Sequence, residues 1–73
     1  MNMEKSKLVK RGELTTLYPG MIYYIYESKD GLILGETLSA PFFQIAKTFE
    51  EYKNLSLETL ENKIYSAEMS VAR

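Results

Sequence analysis

MIYYIYESKDGLILGETL, residues 21–38, decides how this chain folds. Two runs rich in Ile, Leu and Tyr flank Lys29-Asp30-Gly31. Asp-Gly between apolar runs is a strong hairpin signal, because both residues tolerate positive φ. A two-residue Asp30-Gly31 loop pairs Lys29 with Leu32, Glu27 with Leu34, Tyr26 with Gly35, Ile25 with Glu36 and Tyr23 with Leu38. That register puts Met21, Tyr23, Ile25, Leu32, Leu34 and Leu38 on one face, the better core. Ile22, Tyr24, Tyr26, Ile33, Gly35 and Thr37 share the other, which is hardly polar. A three-residue loop with Gly31 in the left-handed conformation shifts the pairing by one and mixes the faces.

Upstream of the hairpin, Tyr18-Pro19-Gly20-Met21 has the pattern of a type II turn, in which Pro presets φ and Gly accepts the positive φ that follows. Glu13 to Tyr18 reads as a first strand leading into it, with an earlier start and a bulge at Gly12 as the variant. Residues 1–6 lack periodicity, so the expectation there is a mobile arm. Downstream, Ser39 to Lys53 admits two readings. In one, Phe42, Ile45, Ala46, Phe49 and Tyr52 form one face of a continuous helix. In the other, the capping box Thr48-Phe49-Glu50-Glu51 starts a short helix, Phe49 to Asn54, after a short strand, Phe42 to Lys47. The capping box favours the second.

Ser56 to Arg73 is a longer helix. Ser56 is a good N-cap, Leu55 and Leu60 are placed for a hydrophobic staple, and Leu57, Leu60, Ile64, Ala67 and Val71 form a stripe. The fold class expected is α+β: a three- or four-stranded antiparallel meander with one short and one longer C-terminal helix. An SH3-like barrel is the closed variant of the same strand pattern.

The 73 residues leave room for one domain, and a chain this short buries only roughly 60% of the surface its unfolded form exposes. Small domains usually add disulfides, a metal or a partner subunit to that margin. This chain has no Cys and no His, so a homodimer is the expected supplement. The same absence removes a disulfide framework, a thiolate or imidazole metal site and a Cys nucleophile. No apolar run approaches the ~18 residues of a membrane span, and no secretory pattern opens the chain; a soluble cytoplasmic protein is expected.

Function follows from the same inventory. Without His or Cys, acid–base work at neutral pH falls to carboxylates or lysines of strongly shifted pKa, so a non-enzymatic protein without metal or cofactor is expected. Glu50, Glu51, Glu58 and Glu61 read as a solvated helical face. Charge is uneven: residues 1–12 carry Lys5, Lys7, Lys10 and Arg11 against Glu4, while residues 13–73 carry five basic and nine acidic groups. The basic arm with Tyr18, Tyr24 and Tyr26 suggests single-stranded nucleic-acid binding as an alternative, although an acidic body repels phosphate.

Protein association has the better physical case. A hairpin apolar on both faces offers more surface than a short chain covers, and tyrosine is a favoured interface residue. Tyr18, Ile22, Tyr24, Tyr26 and Ile33 are therefore the candidate partner-binding residues. Leu57, Leu60, Ile64 and Val71 form a candidate dimer or helix interface, and an exposed strand edge is a third route. The function expected is that of a small regulator or inhibitor that occupies a partner's surface, for instance by presenting carboxylates where an enzyme expects phosphate.

Overall fold

A computed structural model describes residues 6–71, and within it the hairpin is closed by three residues, not two. Ser28 and Leu32 face each other across the loop: the Ser28 N–H donates to the Leu32 carbonyl at 2.9 Å, and the Gly31 N–H to the Ser28 carbonyl at 2.9 Å. The Ser28 hydroxyl accepts from the N–H groups of Asp30 and Leu32. Only Gly31 of the loop has positive φ, at +90°, so Asp30 avoids the left-handed conformation that a two-residue loop would demand of it. The consequence is the shifted register, with Tyr23 opposite Thr37, Tyr24 opposite Glu36, Ile25 opposite Gly35 and Tyr26 opposite Leu34.

That register corrects the faces. Tyr23 and Ile25 point into the core as expected, but they are joined by Ile33, Gly35 and Thr37, while Leu34 and Glu36 turn outward. Ile33 is fully buried and cannot meet a partner. Gly35 is required by close packing, since a Cβ there would stand 2.8 Å from both Ile45 Cδ1 and the Phe43 ring. Tyr26 lies across from Leu34, and Gly35 across from Ile25, in place of the expected Tyr26–Gly35 pair.

The sheet has four antiparallel strands in sequence order: β1 (Lys7–Glu13), β2 (Ile22–Glu27), β3 (Ile33–Thr37) and β4 (Phe43–Ala46). It is open, with β1 and β4 as edges, so the closed SH3-like variant is not formed. The first strand lies upstream of its expected place, and its bulge is at Val9, between the pairs Leu8–Tyr26 and Lys10–Ile25. Charged residues are tolerated on an edge strand, and the bulge breaks the period-two pattern; both hide β1 from a reading based on alternation. The Leu14 to Met21 stretch instead loops. Leu14 is buried, and the Thr15 N–H and hydroxyl both donate to the Glu61 carboxylate, at 3.2 and 3.1 Å. Tyr18 to Met21 forms the expected turn, with the Met21 N–H donating to the Tyr18 carbonyl and Gly20 at φ +87°.

After β4 the chain makes α1 (Phe49–Lys53) and then α2 (Leu57–Val71), so the strand-plus-helix reading of residues 41–53 holds. Thr48 caps α1 by accepting from the Glu51 N–H, and the Glu51 carboxylate reaches back to the Lys47 N–H at 2.7 Å. Ser56 caps α2 through the Thr59 N–H. Helix α2 lies on one sheet face, where Leu60 and Ile64 join Leu14, Tyr23, Ile25, Ile33, Ile45 and Ala46 in a single core, with Leu55 and Tyr52 packed at its margin. Two buried carboxylates fix the helix: Glu61 holds Thr15, and Glu68 accepts from the Thr37 hydroxyl, which itself accepts from the Ala40 N–H at 2.9 Å. Among the described residues no helix is long and apolar enough to cross a membrane.

Two stability measurements check this account by urea denaturation. Gly31→Ala places a Cβ in the left-handed region and lowers stability by about 1–2 kcal/mol. Thr37→Val strands the Glu68 carboxylate and the Ala40 N–H, and lowers stability by about 3 kcal/mol, with Thr37→Ser recovering most of it. Equal, small losses in Thr37→Val and Thr37→Ser would contradict the buried network.

Candidate functional site

Alternation along β2 sends Ile22, Tyr24 and Tyr26 to the sheet face opposite α2. The pairings extend this line into three rows across the strands. Leu8, Tyr26, Leu34 and Gln44 make the first row, Arg11, Tyr24 and Glu36 the second, and Glu13 and Ile22 the third. The rings of Tyr24 and Tyr26 stack at 6.5 Å and 29°, and Phe42 closes on Tyr26 at 5.1 Å. The result is an aromatic strip down the second strand, only half-buried because no helix lies over it.

The strip runs into a groove of about 590 Å³ at the end of the sheet where the β1–β2 and β3–β4 loops meet. Tyr18, Pro19, Ile22, Tyr24, Glu36 and Leu38 line it. Leu38 is 99% exposed, and Tyr18, which also lines the groove, is exposed as well. Fully burying a leucine is worth about 1.5–3 kcal/mol, so this end of the sheet holds stabilisation that the isolated chain leaves unused.

The face is not electrically neutral. Burial raises the Tyr26 phenol above its ordinary value, and the neighbouring Glu36 carboxylate and Tyr24 add to the shift. Glu36 and Glu13 give the face negative charge beside Arg11, its single cation among the described residues. The basic residues do not gather into one patch. Lys7 pairs with Glu27 at 3.8 Å, and Lys10 stands 5.9 Å over the Tyr23 ring; both lie opposite residues of the core side of β2, whereas Arg11 lies on the open face. Lys5 falls outside the described residues, as do residues 1–5 of the arm expected to be mobile.

Of the candidate interface on α2, Leu60 and Ile64 are buried against the sheet, while Leu57 and Val71 are exposed at the two ends of the helix. Those four do not form a continuous outward stripe. Of the candidate partner-binding residues, Tyr18, Ile22, Tyr24 and Tyr26 lie together on or beside the open face, and Ile33 does not. Leu8, Arg11, Leu34, Glu36, Leu38 and Phe42 share that region, although none of them is a partner-binding candidate by sequence. The three-residue register places Leu34 and Glu36 there, but β1 carries no alternation to place Leu8 and Arg11. Among the described residues, no group of three or more acidic side chains is arranged to hold a metal ion.

Tyr26 titration tests the electrostatics of the face. Its raised pKa favours the folded state fully below the ordinary tyrosine value of about 10, and that contribution is lost as pH rises through the folded value. Absorbance titration at the phenolate band, differenced against Tyr26→Phe, should show this residue ionising above the ordinary range, and Glu36→Gln should move it part of the way back. An unchanged titration in Glu36→Gln would remove the carboxylate from the account. No protein-family model, curated protein or solved structure matches this chain, so any function must be argued from the geometry of this face.

Proposed function

We propose that this chain is a non-enzymatic protein-binding module, a small regulator or inhibitor that works by covering a partner's surface with the open face of its sheet. One observation carries the reading: α2 is packed entirely on the opposite face, leaving Ile22, Tyr24, Tyr26, Leu34 and Phe42 as a joined apolar and aromatic surface. Interface cores are enriched in aromatic residues, and tyrosine contributes large contact area while its hydroxyl stays wet in the free protein. The exposed Tyr18 and Leu38 extend the surface around the end of the sheet. The cytoplasm belongs to this proposal as the setting that suits a chain without cysteine.

Single-stranded nucleic-acid binding is the second reading, favoured by the stacked Tyr24–Tyr26 pair with Arg11 beside it. Glu13 and Glu36 on the same face weigh against it, as does the division of Lys7, Lys10 and Arg11 between two faces, because a phosphate backbone needs a continuous positive track.

Affinity capture from the native host, with variants as baits, tests the first reading. Tyr24→Arg should lose the captured protein, while Ser66→Arg, on an exposed part of α2, should retain it. Capture by both variants alike would sink the assignment to this face.

A further inference from the structure

The open face carries charges arranged to complement a copy of itself. We propose that it packs against a second copy of this chain, face to face, about a two-fold axis running along β2. The inference rests on the reading of this face as a protein-binding surface, and it names the first protein that the surface meets.

The argument lies in the middle row. Arg11 on β1 and Glu36 on β3 both sit opposite Tyr24, one on each side of β2. Adjacent strands are about 4.8 Å apart, so the two charges flank the tyrosine at similar distances with opposite signs. A two-fold axis parallel to β2 exchanges the sides of the sheet, bringing β1 of one copy over β3 of the other. Arg11 then meets Glu36 of the second copy, and Glu36 meets its Arg11, so one operation makes two ion pairs. In the neighbouring row the same operation sets Leu8 over Leu34, while Ile22, Tyr24 and Tyr26 meet their own counterparts along the axis. A two-fold axis across the strands would instead set Arg11 against Arg11 and Glu36 against Glu36. Like charges juxtaposed at an interface are strongly unfavourable, so the charge pattern selects the first arrangement. Two sheets packed this way keep their strands roughly aligned, an ordinary packing of antiparallel sheets, and the contact is isologous as closed dimers require.

The other surfaces fit a second copy less well. The apolar residues in the middle of α2 are already buried against its own sheet. The β1 edge is bulged and carries Lys7, Lys10 and Arg11, features that oppose edge-to-edge pairing. The groove between β4 and α2 is lined mostly by polar side chains, among them Thr59, Asn62, Lys63 and Ser66. Among the described residues neither Arg11 nor Glu36 forms an ion pair within its own chain, so both remain available to the second copy.

Charge reversal with complementation tests the proposal by sedimentation. The wild-type chain should sediment at twice its 8.4 kDa mass at micromolar concentration. Arg11→Glu sets a second carboxylate against Glu36 twice per dimer, and Glu36→Arg sets a second guanidinium against Arg11 twice; each single variant should weaken the dimer by on the order of a hundredfold or more. Mixed in equal amounts, the two variants should form a heterodimer, because each then offers the other the missing sign. Their individual circular dichroism spectra verify that both are folded before mixing. A wild-type chain that stays monomeric, or single variants that still dimerise, or a mixture that fails to associate would each overturn the proposal. If the wild type is monomeric yet Tyr24→Arg still loses a captured host protein, self-association fails while the binding face survives.

Discussion

Everything in this structure depends on where the Ser28 to Leu32 turn closes. With Gly31 as its only left-handed residue, the turn sets Tyr23 opposite Thr37 and Ile25 opposite Gly35. A slip of one residue would exchange the faces of β3, carrying Leu34 and Glu36 under α2 and Ile33 and Thr37 into water. Glu36 would then be buried with no partner placed for it, and Glu68 would lose the hydroxyl it binds. Burying an unpaired carboxylate is far more costly than exposing one isoleucine, so the turn, the core and the helix contacts all enforce one register.

The helix illustrates how a small core is supplemented without disulfide or metal. Leu60 and Ile64 supply its apolar contacts, and Glu61 and Glu68 lie on the same side of α2 one heptad apart. Seven helical residues rise about 10 Å, close to two strand spacings. Each carboxylate finds a threonine hydroxyl at its end of that span: Thr15 for Glu61 and Thr37 for Glu68. Buried polar groups with matched partners add direction to a contact that hydrophobic burial alone leaves free to slide.

Much of this is legible in the chain, and the failures have physical causes. Local chemistry is readable where one or two side chains dictate a backbone conformation: the Pro19-Gly20 turn, the Thr48 and Ser56 caps, and the existence of the hairpin. The register is not, because Asp30-Gly31 is compatible with loops of two or three residues, and the choice between them rests on Ser28 and on burial partners 30 to 40 residues away in sequence. Strand β1 escapes a reading by alternation because it is a charged, bulged edge strand, while Leu14-Thr15 looks like a strand but is held by α2. Glu61 looks solvated for a related reason: nothing local announces that Thr15 will lie beside it. Of the candidate site, the tyrosines are evident from alternation in β2, whereas Arg11 and Glu36 become neighbours of Tyr24 only through pairing.

The same features that obscure β1 explain why the proposed association is assigned to the face of the sheet and not to its edges. An open sheet has two unpaired edges, each a template for indefinite extension. Here one edge is broken by the Val9 bulge and guarded by Lys7, Lys10 and Arg11, and the other is only four residues long. Growth through the edges is thereby discouraged, while the apolar face opposite α2 is left open. That face uses tyrosine where a buried strand would use valine or isoleucine, and tyrosine hydroxyls can stay hydrated until a protein surface arrives. In the proposed dimer Arg11 and Glu36 decide which surface is accepted, since apolar area is indifferent to partner and to orientation, but a cation and an anion on opposite sides of one ring are not. On that proposal affinity comes from the aromatic strip, and selectivity from the two charges that border it.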